Sequence, residues 1–214
     1  MSDAPTTMPA DESAARVIRA LLDYGSIWTT HDLVELSKAP AADVRRIIDD
    51  LRSRSLVERR RGGIIAVPDW SDLLARWAAG SPAPTTGNVT RWNPTGSLKD
   101  LFAQLATSPL KYALTGTHAA AFWTSTPAED APIIYTPDPQ AAAMAWDFTP
   151  SPAGAVLLVE PLIDVVYIRR RSTPTGLRLA APTQVLADLL AARDGTHANH
   201  LHAWMRQHIQ HWRY

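Results

Sequence analysis

The chain has 214 residues, 46% hydrophobic and 20% charged, with 21 basic and 21 acidic side chains and a formal net charge of zero. That length and composition suit two small globular domains, and the balanced charge excludes an overall basic field that would draw the whole molecule onto nucleic acid. The absence of cysteine excludes disulfides and zinc-finger chemistry and fits a cytoplasmic protein, and no run approaches the roughly 20 apolar residues of a membrane span.

Residues 1–11 carry prolines, threonines and acids without the basic start or apolar core of a signal peptide, and read as a disordered lead-in. From Glu12 to Tyr24, the spacing of Ala14, Val17, Ile18, Leu21 and Leu22 predicts a supporting first helix. Thr29 is a good N-cap, and Asp32 can reach back to the free donors of the first turn. A short second helix over Thr30–Ser37 follows, with Leu33, Val34 and Leu36 to bury.

Pro40 ends any continuous helix before it and suits the first position of the next. Over residues 40–53, Val44, Ile47, Ile48 and Leu51 form one apolar stripe, and the opposite face carries Ala42, Arg45, Arg46, Asp49, Arg52 and Ser53. Ala41 and Ala42 are small, so this end of the helix can approach another surface closely. That is the geometry of a recognition helix, whose N-terminal residues meet base edges.

After Leu56 the helical period gives way to alternation. Residues 56–61 and 64–67 flank Gly62-Gly63, a pair able to adopt the positive φ angles of a two-residue hairpin turn. Residues 29–67 therefore read as a winged helix-turn-helix. Its candidate DNA contacts are Thr30, Ala41, Ala42, Arg45, Arg46, Arg52, Arg59, Arg60, Arg61 and Gly62. Between Ala41 and Gly63 seven arginines face four acids, a local charge of +3. Phosphate neutralisation supplies most non-specific affinity, so this domain alone is expected to bind DNA weakly and to act as a homodimer or on a specific operator. Helical triplets with a hairpin also serve as protein-interaction modules, and that alternative stays open.

Residues 69–78 suggest a further helix with Trp70, Leu73, Leu74 and Trp77 on one stripe, and the stretch from Gly80 to Gly87 is too rich in proline, glycine and threonine to bury a core. The expected division is a DNA-binding domain over 12–79, a linker over 80–90 and a second domain over 91–214. In the latter, Ser97 caps a helix through Thr107 that turns Leu98, Leu101, Phe102 and Leu105 inward. A strand over 111–114 leads through Thr115-Gly116 into a small-residue helix over 117–123. A strand at 133–135 precedes an alanine-rich helix over 139–146. Strands at 156–159 and 165–168 are joined by a turn through Pro161 and Asp164. Pro182 opens a helix carrying Val185, Leu186, Leu189 and Leu190, and a last helix spans 198–212. The mixture implies an α/β or α+β fold, a small sheet covered by helices.

A strand ending in the Thr115-Gly116 turn and a helix N-terminus can bind an anion. Nucleotidyltransferase-like folds begin this way, but their metals need closely spaced carboxylates, and here only Asp138 lies beyond the next strand. Helix-on-sheet packing through Gly116 and its alanines is the favoured reading. A degenerate nucleotidyltransferase using Thr115, Gly116 and Asp138 is its rival. Five of the seven histidines are His197, His200, His202, His208 and His211; no cysteine or helical carboxylate completes a metal set with them, and His208 is expected to pack on the stripe of Leu201, Trp204, Met205 and Trp212. With no nucleophile elbow, dinucleotide fingerprint or P-loop, no catalytic residue, metal or cofactor is assigned, and the chain is read as not an enzyme.

Several short segments share an order found elsewhere. They are the winged helix itself; Pro68-Asp69-Trp70 with Leu74 and Trp77; Tyr112-Ala113-Leu114-Thr115-Gly116 with Ala119-Ala120; Ile134-Tyr135; Ala181-Pro182-Thr183-Gln184-Val185 with Asp188-Leu189-Leu190; and Trp204-Met205. In that order, from about Ala14 to Met205, the chain resembles the AbiEi-type antitoxins and related actinobacterial transcriptional regulators. The resemblance implies a winged helix that binds inverted repeats in double-stranded DNA and represses transcription, often of its own operon. It also implies a second domain shaped like a nucleotidyltransferase without its active site. In antitoxin members of a type IV system, the genetic partner is a nucleotidyltransferase-like toxin. Carried over to this sequence, Arg45, Arg46, Arg52 and Arg59 to Arg61 are the expected contacts.

Overall fold

Helical periodicity and capping build most of what a computed structural model describes over residues 12–25, 29–81 and 88–214. The lead-in expected over 1–11 lies outside the described residues. The chain divides into two units, Met1–Ser81 with His208–Tyr214, and Pro82–Gln207. Helices and sheets are mixed, in keeping with the α/β class. Among the described residues no helix is long and apolar enough to cross a membrane.

In the first unit, α1 (Glu12–Asp23), α2 (Thr30–Ser37) and α3 (Ala41–Ser53) follow the apolar spacing. Thr29 and Asp32 form a reciprocal capping box at the start of α2. Val17, Leu21, Leu22, Leu33, Val44, Ile48 and Leu51 are almost wholly buried, each contributing roughly 1.5–3 kcal/mol relative to exposure. Two expected core positions differ: Val34 is half-buried and Leu36 is 37% exposed, because a helix this short presents only one inward stripe. Between α2 and α3, Lys38 takes φ 57° and its N–H donates to the Val34 carbonyl. The Ser37 hydroxyl donates to the Leu33 carbonyl and accepts from the Ala39 N–H.

The hairpin pairs β1 (Glu58–Arg59) with β2 (Ile65–Ala66), Arg59 opposite Ile65. Its strands are shorter than the alternation suggests, and the two-residue turn is replaced by a wider loop. Gly63 N–H donates to the Arg60 carbonyl, closing a turn over Arg61 and Gly62. Gly62 at φ 81°, ψ 11° has the third-position angles of a type II turn, and Gly63 follows at φ 77°. Two consecutive positive φ angles need the glycines, so the extra residue is taken up in the loop. α4 (Trp70–Gly80) completes the N-terminal part, with Asp69 as its cap.

The second unit is built on a seven-stranded mixed sheet comprising β3 (Asn88–Asn93), β4 (Ala113–Thr115), β5 (Ile133–Tyr135), β6 (Thr149–Pro150), β7 (Val156–Glu160), β8 (Arg171–Ser172) and β9 (Arg178–Leu179). The spatial order is β6-β3-β7-β5-β4-β9-β8, parallel between β5 and β7 and between β4 and β9 and otherwise antiparallel. Its helices are α5 (Leu98–Thr107), α6 (Gly116–Ala120), α7 (Pro139–Ala145), α8 (Pro182–Ala191) and α9 (Gly195–Gln207).

Four expectations change. The linker reading over 80–90 is too wide, since α4 runs through Gly80 and β3 starts at Asn88. Residues 165–168 are not a strand: Asp164–Tyr167 forms one tight helical turn, because β3 and β5 already occupy both sides of β7 and leave no ladder to join. Leu98 and Leu190 are 42% and 39% exposed and Phe102 is half-buried, so α5 buries only Leu101 and Leu105. Finally, the last helix breaks at His208 (φ −118°, ψ 35°), and α10 (Ile209–Arg213) belongs to the first unit. There Trp212 meets Trp70 edge-on at 5.0 Å. Trp212 therefore does not share a helix with Leu201, Trp204 and Met205.

Candidate nucleic-acid interface

α3 buries Val44, Ile47, Ile48 and Leu51 against the core of the first unit and leaves Ala41, Ala42, Arg45, Arg46, Asp49 and Arg52 exposed. Arg45, Asp49 and Arg52 fall at i, i+4 and i+7, one stripe of the helix. Pro40 offers no side-chain cap, so the N–H groups of the first turn at Ala41 and Ala42 have no intrahelical acceptor. Asp43 beside them accepts from the Ser13 hydroxyl at 3.0 Å.

The candidate arginines separate by their partners. Arg46 lies 3.8 Å from Asp43, Arg59 is 3.3 Å from Asp49, and Arg60 is 3.6 Å from Glu58. Arg45, Arg52 and Arg61 have no acidic partner among the described residues. The paired side chains are 38–61% exposed except for Asp43 at 37%, so each pair contributes about 0–1 kcal/mol and can be exchanged for a phosphate. Arg60, Arg61 and Gly62 are exposed at the hairpin tip, and a Cβ on Gly62 would meet nothing within 4 Å among the described residues. Thr30 opens α2, half-buried; it lies on a separate helix, and among the described residues its hydroxyl makes no hydrogen bond to these arginines.

The contact between Arg59 and Asp49 was not legible in the sequence, because it joins two elements whose relative placement has no local signature. Asp49 is recognisable only as an acid among arginines on the exposed face. It ties the hairpin to the stripe that carries Arg45 and Arg52.

The second unit's candidate residues do not converge. Thr115 pairs with Ile133 at the start of β5, whereas Asp138 lies past the other end of that strand. Asp138 caps α7 by accepting from the Ala141 N–H at 2.9 Å. The Thr115 hydroxyl donates to Asp188, a buried carboxylate that also accepts from Tyr135 Oη at 3.2 Å and Gln184 Nε2 at 2.8 Å. Gly116 has φ 67°, an angle costly for a side chain, and it leads into Ala119 and Ala120, both fully buried.

Three histidines of the second unit are held separately, while the His208 and His211 rings lie 5.7 Å apart. His118 Nε2 lies 2.8 Å from the Asp130 carbonyl, and burial pushes its pKa down. His197 bridges Asp194 Oδ2 at 2.8 Å and the Pro127 carbonyl at 3.0 Å. His200 Nδ1 is 2.7 Å from Thr126 Oγ1. Among the described residues no three His, Asp or Glu side chains are grouped to hold a metal ion.

No family model matches the chain, and no curated protein or solved structure is significantly similar to it.

Proposed function

We propose that the chain is a sequence-specific DNA-binding transcriptional regulator of repressor type. In this reading the first unit is a winged helix-turn-helix, with α3 as recognition helix and the β1–β2 hairpin as wing. The observation that carries it is the exposed stripe of Arg45 and Arg52 on α3, beside a hairpin whose Arg59 is anchored on the same stripe, with no acidic partner for Arg45, Arg52 or Arg61 among the described residues. The uncapped first turn of α3, flanked by Ala41 and Ala42, adds backbone donors that suit a phosphate. Local charge is modest, which favours a homodimer on an inverted-repeat operator over loose coating of DNA.

The resemblance to AbiEi-type antitoxins extends the proposal to an autoregulator of a toxin–antitoxin operon, the second unit being nucleotidyltransferase-like in shape and without catalysis. An adjacent gene for a nucleotidyltransferase-like toxin would support this extension, and its absence would leave a regulator.

The deciding experiment is a gel-shift titration with the protein's own promoter fragment. Arg45→Ala and Arg46→Ala should each weaken binding, by about 1–3 kcal/mol if the side chain reads a base. Unchanged affinity in both variants would remove α3 from the interface.

A further inference from the structure

The second unit holds another group of cations, at the edge of its sheet. Ser172 of β8 pairs with Arg178 of β9, so Arg170, two residues before Ser172, is the diagonal cross-strand neighbour of Arg178. Both side chains turn back over the start of β4. Arg170 Nη1 donates to the Tyr112 carbonyl at 2.7 Å, and Arg178 Nη1 donates to the Leu110 carbonyl at 3.2 Å. Each guanidinium also stands over a tyrosine ring, Arg170 over Tyr167 at 5.6 Å and Arg178 over Tyr112 at 5.9 Å.

Neither arginine has an acidic partner among the described residues. Two acids act on Tyr167: Asp164, taken by Lys111 at 2.9 Å, and Glu160, which accepts from Asn88 Nδ2 at 3.0 Å; Lys111 Nζ lies 4.3 Å from the Tyr167 ring centre. Burial first, and then the Arg178 charge, pushes the pKa of Arg170 down. The Tyr167 hydroxyl in the same cluster is buried without a hydrogen-bond partner among the described residues. Two adjacent like charges, partly desolvated and fixed by backbone carbonyls, are unfavourable unless an anion joins them.

We propose that Arg170 and Arg178 form a binding site for a phosphate monoester. Each guanidinium has five N–H donors and gives one hydrogen bond to a carbonyl, leaving donors in fixed orientation for a tetrahedral oxyanion. Charge selects the monoester: Lys111 and Asp164 cancel, so the two arginines match a group carrying about −1.5 to −2 at neutral pH. A phosphodiester carries half of that. The phosphate can belong to a small metabolite or to the end of a nucleic-acid strand, and nothing in this site draws on the first unit.

Calorimetric titration of the full chain with inorganic phosphate, at constant ionic strength in chloride, tests the site. The expected result is saturable binding that strengthens severalfold between about pH 5.5 and pH 7.5 as phosphate takes its second charge. Arg170→Gln and Arg178→Gln should each weaken it by about tenfold or more, the scale of a lost charge-assisted hydrogen bond. If either glutamine variant fails to fold, Arg178→Lys keeps the charge and most of the stem but loses the fork, and weaker binding is still expected. A 5′-phosphorylated oligonucleotide and the same strand with a 5′-hydroxyl separate the sources. Tighter binding of the phosphorylated strand than of the hydroxyl strand supports a strand end, and saturable inorganic phosphate with no preference between the strands supports a small metabolite. Absence of saturation with inorganic phosphate, or unchanged affinity in the folded variants, would overturn the proposal.

Discussion

Arg59 Nη2 stands 3.3 Å from Asp49 Oδ1 and joins the hairpin to the exposed stripe of α3. Both side chains are open to solvent, so the pair adds little stability. Its consequence is positional and electrostatic: it holds the hairpin beside Arg45 and Arg52 and cancels one positive charge on the proposed DNA-facing surface.

Removing that cancellation should be visible on DNA. Asp49→Asn is expected to tighten binding to an unrelated duplex and to steepen its salt dependence by as much as about 0.9 in log–log slope, the value for one phosphate contact. Replacing Arg59, Arg60 and Arg61 with alanine should do the reverse, weakening all sequences alike and flattening the slope. Fluorescence anisotropy across a salt series measures both. Unchanged slopes in both variants would mean that the hairpin does not meet phosphate.

The turn between α2 and α3 carries a correctable strain. Lys38 occupies the left-handed region at φ 57°, a conformation that disfavours any residue with a Cβ. Its pairing with Glu35 at 3.6 Å is solvent-exposed and of small value. Lys38→Gly is therefore expected to stabilise the first unit by about 0.5–1 kcal/mol, the usual preference for glycine just past a helix. A raised denaturation midpoint at unchanged denaturant slope is the expected reading, and a lowered midpoint would contradict it.

The helices were legible because their signals are local. Thr29 with Asp32, and Ser97 at the head of α5, mark helix starts within four residues. The two-residue strands of the second unit, β6, β8 and β9, were not, since two residues show no period. Val165 to Ile168 misled because β-branched composition records a preference for a ladder, not whether one has a vacant side. The break at His208 lacks glycine or proline and follows from where Trp212 packs. The same limit applied to the candidate sites. The arginines of α3 could be read from helical spacing, but their acidic partners, and the diagonal placement of Arg170 and Arg178, depend on tertiary register.

The C-terminal residues should stabilise the N-terminal helix. α1 leaves its last carbonyls without intrahelical donors, and Arg213 fills two of them, with Nε 3.1 Å from the Leu22 carbonyl and Nη2 3.0 Å from that of Leu21. The Tyr214 hydroxyl donates to the Gly25 carbonyl at 2.7 Å. Arg213→Ala is expected to cost about 1–3 kcal/mol, the range for buried acceptors left unpaired. Gly25→Ala would place a Cβ 2.1 Å from the Tyr214 ring, so it should also destabilise, and Tyr214→Ala should relieve much of that loss. A double-mutant cycle by chemical denaturation reads the coupling; additive effects would mean that the tail does not dock on Gly25.

Three histidines hold the segment from Thr126 to Asp130, and two of them respond to pH in opposite directions. His197 faces acceptors with both ring nitrogens, Asp194 Oδ2 and the Pro127 carbonyl, so only the imidazolium can donate to both. Burial works against that charge, but the Pro127 carbonyl and the Asp194 carboxylate outweigh it and hold its pKa above the ordinary 6.5. Its contribution to folding is full below 6.5 and is lost as pH rises through the raised value. His118 is the reverse: burial, opposed by the Asp130 carbonyl, holds its pKa below 6.5. It favours the folded state when neutral, and that contribution is lost as pH falls through the lowered value. Hydrogen-exchange protection at residues 126–130 should therefore decline as pH rises from 6.5 through the raised His197 value, and also as pH falls from 6.5 through the lowered His118 value. His197→Gln should remove the decline on the alkaline side and leave the acid side in place. NMR titration of the ring protons gives the direct check, with His197 expected to titrate above 6.5 and His118 below it. A His197 midpoint at or below that value would contradict the two-acceptor geometry.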